Sequence, residues 1–88
     1  MNFFVYILYS PSHNRTYTGQ SDNLDNRLVY HNSGKVRSTK PYRPWELIYI
    51  ESFPTRAQAM KREKWFKSKA GRKKIAKILN EYLSKHSN

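Results

Sequence analysis

FFVYILYSPSHNRTYTG, Phe3 to Gly19, decides the fold. Phe3 to Tyr9 is aromatic or aliphatic throughout, and such unbroken apolarity predicts a central strand covered on both faces. SPSHNR then supplies a turn, and Arg15 to Gly19 reads as the returning strand of a hairpin. Gly19 stops that strand at a point where backbone freedom or close approach is needed. A turn around Ser10 to Asn14 places Tyr6 and Tyr17 nearly opposite each other on adjacent strands, so two phenols can share one pocket.

The rest follows outward from the hairpin. Ser21 or Asp22 can cap a helix that carries Leu24 and Leu28 one turn apart and ends at Gly34. Lys35 to Pro44, KVRSTKPYRP, holds two prolines and four basic residues and reads as an exposed loop beside a binding surface. Trp45 to Phe53, WELIYIESF, is the third strand. Thr55 followed by Gln58 forms a capping box that opens a helix through about Lys67, and Gly71 punctuates. A last helix carries Ile75, Ile78, Leu79 and Tyr82 on one stripe, with Lys73, Lys74 and Lys77 turned mainly away. The order β-β-α-β-α-α predicts an α+β fold: a small antiparallel sheet with its first strand in the middle, flanked by helices. Residues 1–83 are expected to form a single domain, with a frayed tail over 84–88.

Composition narrows the function. Seventeen Lys and Arg against six Asp and Glu give a net charge of +11, which points to a polyanionic partner, nucleic acid foremost. No segment has the wide apolar face of an interfacial helix or the length of a membrane span, and a signal-peptide pattern is absent, so the expected compartment is the cytoplasm. With no cysteine there are no disulfides and no thiolate metal site; any metal must use oxygen or histidine ligands. Walker-type, HExxH and CxxC motifs are all missing. A monomer is the default.

Three features depart from an ordinary small core. Ala59, Met60, Glu63 and Phe66 follow helical spacing, which puts a carboxylate inside an apolar stripe. Either a nearby Arg or Tyr hydroxyl satisfies it, or it is a hard-oxygen ligand for Mg²⁺. Arg27 and His31, four residues apart, flank Leu28 and can point at a common spot. They are either a solvated arginine with a helix-end histidine favoured by the dipole, or a phosphate clamp with a proton-handling imidazole. The third feature is the pair Tyr6 and Tyr17, in which a phenol could accept a proton if neighbouring cations or a metal lowered its pKa.

Taken in order, these residues resemble the GIY-YIG nuclease family over nearly the whole chain. Val5 to Ile7, VYI, is similar to the GIY element and Tyr17 to Gly19, YTG, to the YIG element, followed by Arg27, His31 and an isolated Glu63. The closest likeness is to small single-domain members that look like the N-terminal domain of an excinuclease. The resemblance implies a metal-dependent DNA endonuclease, structure-selective and serving repair or recombination. Glu63 would hold one Mg²⁺ or Mn²⁺ on the scissile phosphate and Arg27 would neutralise that phosphate. One of Tyr6 and Tyr17 would deprotonate the attacking water while the other positions it, and His31 would hydrogen-bond this group; Gly19 would admit the backbone to the site. Phosphate contacts would come from Lys35, Arg37, Lys40 and Arg43 in the basic loop and from Lys61, Lys64, Lys67 and Lys69 near the second helix. The chain departs from the family pattern at Val5 and Thr18, at Gln20 where several members have lysine, and at Lys74 to Ala76 where many have asparagine. The changes at Val5 and Thr18 leave the tyrosines in place; Gln20, the missing asparagine and the very high charge support the alternative, a non-catalytic nucleic-acid-binding module on the same fold. A protein-interaction or ribosome-associated domain is a third reading.

Overall fold

A computed structural model describes residues 2–86. Two strands come first, β1 over Phe3–Ser10 and β2 over Arg15–Ser21, followed by helix α1 over Leu24–Ser33 and a short 3₁₀ turn over Lys40–Tyr42. Strand β3 spans Glu46–Phe53, and helices α2, Arg56–Phe66, and α3, Lys69–His86, complete the chain. The sheet is antiparallel in the order β2-β1-β3, with the apolar first strand in the centre as expected.

Both faces of β1 are covered, and its alternation sorts the core into two halves. Val5 and Ile7 point to one side, where they pack with Ala59, Phe66 and Ile78 of α2 and α3. Tyr6 and Leu8 point to the other, where Trp45, Tyr17, Leu24 and Leu28 meet them. The basic segment 35–44 and α2 therefore flank the sheet from opposite faces.

Local signals hold with small corrections. The cap of α1 is Asn23, whose Oδ1 accepts the Asn26 N–H, rather than Ser21 or Asp22. Ser21 Oγ instead accepts the Asn23 N–H and turns the chain into the helix. Gly34 closes α1 and Thr55 caps α2 as read from the sequence. Gly71 does not punctuate: it lies inside α3, begun by Ser68, whose hydroxyl accepts the Gly71 N–H at 3.2 Å. A Cβ there would run into the backbone of Trp65 and Phe66, so glycine is what lets α3 cross the end of α2 at close range. Helix α3 continues past Leu83 to His86; Ser87 and Asn88, the rest of the expected tail, lie outside the described residues.

Candidate active site

Register places the two tyrosines. Tyr6 pairs with Gly19 and Leu8 with Tyr17, so the phenols share a face on a diagonal rather than standing opposite, with ring centroids 6.4 Å apart. The register sets the diagonal, and Gly19, with no side chain, leaves room for it. Tyr6 lies across it, and a Cβ at Gly19 would come within 2.5 Å of the Tyr6 hydroxyl and 3.0 Å of the Tyr17 ring. Glycine here is a requirement of close approach.

The third member comes from α1. His31 is completely buried, with Nε2 3.0 Å from the Tyr6 hydroxyl and its ring 4.8 Å from that of Tyr17. Its other nitrogen, Nδ1, lies 2.8 Å from Thr39 Oγ1. The solvated helix-end histidine is thus excluded. Burial, reinforced by the nearby Arg27 charge, brings the His31 pKa down to about 4, so the ring is neutral at ordinary pH.

Arg27 stands one turn before His31 and acts on the same spot. Burial pushes the Tyr6 phenol up to about 12, while the Arg27 guanidinium beside the hydroxyl pulls in the opposite direction. Tyr17 and the charge of Glu63 add to the rise. Arg27 lowers this phenol, but desolvation outweighs it. Tyr17, by contrast, is only partly buried, and its hydroxyl has no hydrogen-bond partner among the described residues.

Glu63, on α2, is felt at this group through its charge, which raises the Tyr6 phenol. It is not set in a continuous apolar stripe, because Met60 is exposed while Ala59 and Phe66 are buried. Its side chain is about three-quarters covered, and its carboxylate meets Lys67 at 3.3 Å, one turn along. The buried-acid alternative considered for Glu63 describes Glu51 instead. Arg62 donates to both Glu51 oxygens at 2.7 and 3.0 Å, and the Tyr49 hydroxyl donates at 2.6 Å. Burial alone would raise the Glu51 carboxyl, but these donors outweigh it and hold the group low.

No group of three or more His, Asp or Glu side chains gathers among the described residues. Among the described residues, Glu63 is the carboxylate whose charge acts on Tyr6, and one hard carboxylate is what a hydrated Mg²⁺ or Mn²⁺ takes from a protein when substrate phosphate supplies further oxygens. The donor chemistry fits such an ion.

The eight basic residues assigned to phosphate contact are all exposed or half-buried at the surface: Lys35, Arg37, Lys40 and Arg43 on one side of the sheet, Lys61, Lys64, Lys67 and Lys69 on the other. Arg43 is also braced, its Nε donating to the Lys40 carbonyl at 3.0 Å. Two contributors were not visible in the sequence. Thr39 is buried beneath His31 although its loop is otherwise basic and largely exposed. Arg56, in the first turn of α2, donates to Gln20 Oε1 at 3.4 Å and pairs with Asp22 at 3.5 Å. A guanidinium thus stands beside the position where several family members carry lysine. No spacing rule links residues so far apart.

Comparison with known proteins agrees with this arrangement. The family profile described as the GIY-YIG catalytic domain matches residues 2–77. The UPF0213 protein YazA of Bacillus subtilis is 38% identical over 98% of this chain and 87% of its own. A UPF0213 protein of Staphylococcus saprophyticus is 38% identical over 89% of this chain and 94% of its own. The solution NMR structure of the UPF0213 protein BH0048 from Bacillus halodurans superposes with a TM-score of 0.56 at 30% identity, covering 100% of this chain and 99% of that one. Among the described residues no helix is long and apolar enough to cross a membrane.

Proposed function

The chain belongs to the GIY-YIG catalytic-domain family, and from that premise we propose that it is a metal-dependent DNA endonuclease, selective for DNA structure and acting in repair or recombination. Residues 1–83 would form the single nuclease unit. The observation that carries the proposal is the gathering around the Tyr6 hydroxyl of a second phenol, a buried neutral imidazole and the Arg27 guanidinium, within the field of the Glu63 charge. A chain that used this face only to bind DNA would have no need to bury a histidine against a tyrosine hydroxyl at a cost in desolvation.

The residues divide the work by their surroundings. Arg27 offers a planar guanidinium to the phosphate undergoing attack and stabilises its developing charge. Glu63 would hold the divalent ion, which when bound supplies charge neutralisation at the scissile phosphate and the leaving oxygen. For Tyr6 to act as the base it would first have to yield its own proton, and the base within reach of its hydroxyl is His31. With the phenol at about 12 and the imidazole at about 4, that transfer is uphill by on the order of 10 kcal/mol, before attraction between the resulting ions offsets part of it. Tyr6 is therefore the positioning phenol, and Tyr17, partly exposed and with an unpartnered hydroxyl, is the one that can release its proton to solvent and, as phenolate, accept a proton from the attacking water.

The experiment is a cleavage panel on nicked, branched and single-stranded DNA and on RNA, with Mg²⁺, Mn²⁺ or EDTA. Cleavage that requires metal, disappears in Glu63→Ala and falls about a hundredfold or more in Tyr17→Phe is the expected result. Intact substrates throughout, or undiminished cutting by Glu63→Ala, would refute it.

A further inference from the structure

Thr39 is fully covered in a segment whose neighbours Arg37, Ser38 and Lys40 reach the surface. It is also held on every side. Its N–H donates to the Val36 carbonyl at 3.2 Å, and its own carbonyl accepts the Trp45 indole N–H at 3.0 Å and the Tyr42 N–H at 3.1 Å. The hydroxyl is thereby fixed between two groups, His31 Nδ1 at 2.8 Å and the Val36 carbonyl at 3.3 Å. A threonine hydroxyl has one proton to give, and a carbonyl can only accept. When that proton is given to the Val36 carbonyl, which also accepts the Thr39 and Lys40 N–H groups, a Thr39 lone pair faces His31 and Nδ1 carries the hydrogen. In a neutral imidazole the other nitrogen is then bare, and the hydrogen bond at Nε2 must be donated by the Tyr6 hydroxyl.

We infer that Thr39 is a positioning residue: it locks His31 in the Nδ1–H tautomer, which makes Nε2 the acceptor of the Tyr6 hydroxyl hydrogen bond and turns the Tyr6 oxygen lone pairs toward the site. This deepens the nuclease reading and, for its effect on rate, rests on it. With lone pairs presented, Tyr6 accepts a hydrogen bond from the attacking water and orients it. With the opposite tautomer, His31 would donate to Tyr6 and occupy one of those lone pairs, and the phenol proton would point into the site. The chain Val36 carbonyl, Thr39, His31, Tyr6 thus transmits the conformation of the basic segment to the reacting centre.

The test is tautomer assignment from long-range nitrogen–proton correlations on uniformly ¹⁵N-labelled protein near neutral pH, for wild type, Thr39→Val and Thr39→Ser. Wild type is expected to show a pyrrole-type Nδ1 and a pyridine-type Nε2 for His31. Thr39→Val, which keeps the shape and removes the hydroxyl, should lose that pattern, and Thr39→Ser should retain it. On a cleaved DNA substrate, Thr39→Val should lower kcat about tenfold or more with KM unchanged, and Thr39→Ser should restore it. A protonated Nε2 in wild type would overturn the inference without any variant, even if Thr39→Val failed to fold. An unchanged tautomer and rate in Thr39→Val would overturn it as well. If wild type cleaves no nucleic acid, the nuclease reading fails while the spectra still decide the tautomer.

Discussion

Acidification should unfold this protein through one residue more than any other. His31 is completely buried and its pKa lies at about 4, against 6.5 for a free imidazole. Between these values the unfolded chain binds a proton that the folded chain refuses, so unfolding becomes easier as pH falls. The contribution to stability is fully present above about pH 6.5, declines through the window from 6.5 to 4, and is flat below it. A gap of about 2.5 pH units corresponds to roughly 3 kcal/mol, a large share of what a domain of this size has to spare. The measurement is urea unfolding at a series of pH values from neutral down to the folded-state pKa, for wild type and His31→Gln. Wild type should lose stability more steeply than the variant, by up to about 1.4 kcal/mol per pH unit across the window. The exposed His13 and His86 are common to both proteins and cancel in the difference. Parallel stability curves, or an NMR titration of His31 with its midpoint at the free-imidazole value, would refute the reasoning.

Other perturbations test neighbouring parts of the same picture. Gly19→Ala should cost about 1–3 kcal/mol and displace the Tyr6 hydroxyl, because the new methyl group has nowhere to go but into a buried phenol; thermal unfolding and the His31 nitrogen shifts would register both. Glu51→Gln should lower stability by about 1–3 kcal/mol by weakening the partner of Arg62 and Tyr49, while leaving any metal-dependent cleavage intact, as measured by urea unfolding and the cleavage assay. Replacing Lys61 and Lys64 by alanine should weaken binding of DNA of any sequence and reduce the slope of log K against log salt by about 1 for each phosphate no longer neutralised, measured by fluorescence anisotropy.

Much of the fold and the kinds of chemistry were legible in the sequence. An unbroken apolar run of this length is best satisfied as a strand with both faces covered, so the central position of β1 followed from FFVYILY. Helical spacing brought Arg27 and His31 together because residues four apart in a helix must be neighbours. The composition and the order of Tyr6, Tyr17, Arg27, His31 and Glu63 carried the family likeness. What the sequence could not determine depends on how distant segments meet. Tyr6 and Tyr17 sit on a diagonal because Tyr6 pairs with Gly19, and a register is a property of two strands rather than of either. Glu51, not Glu63, became the acid satisfied by an arginine and a tyrosine, since only the packing of α2 on the sheet sets which carboxylate Arg62 can reach. The state of His31 was the least visible of all. Local pattern left open a helix-end histidine or a proton-handling imidazole; the basic segment folding back with Thr39 beneath it removed the water, and with it the charge.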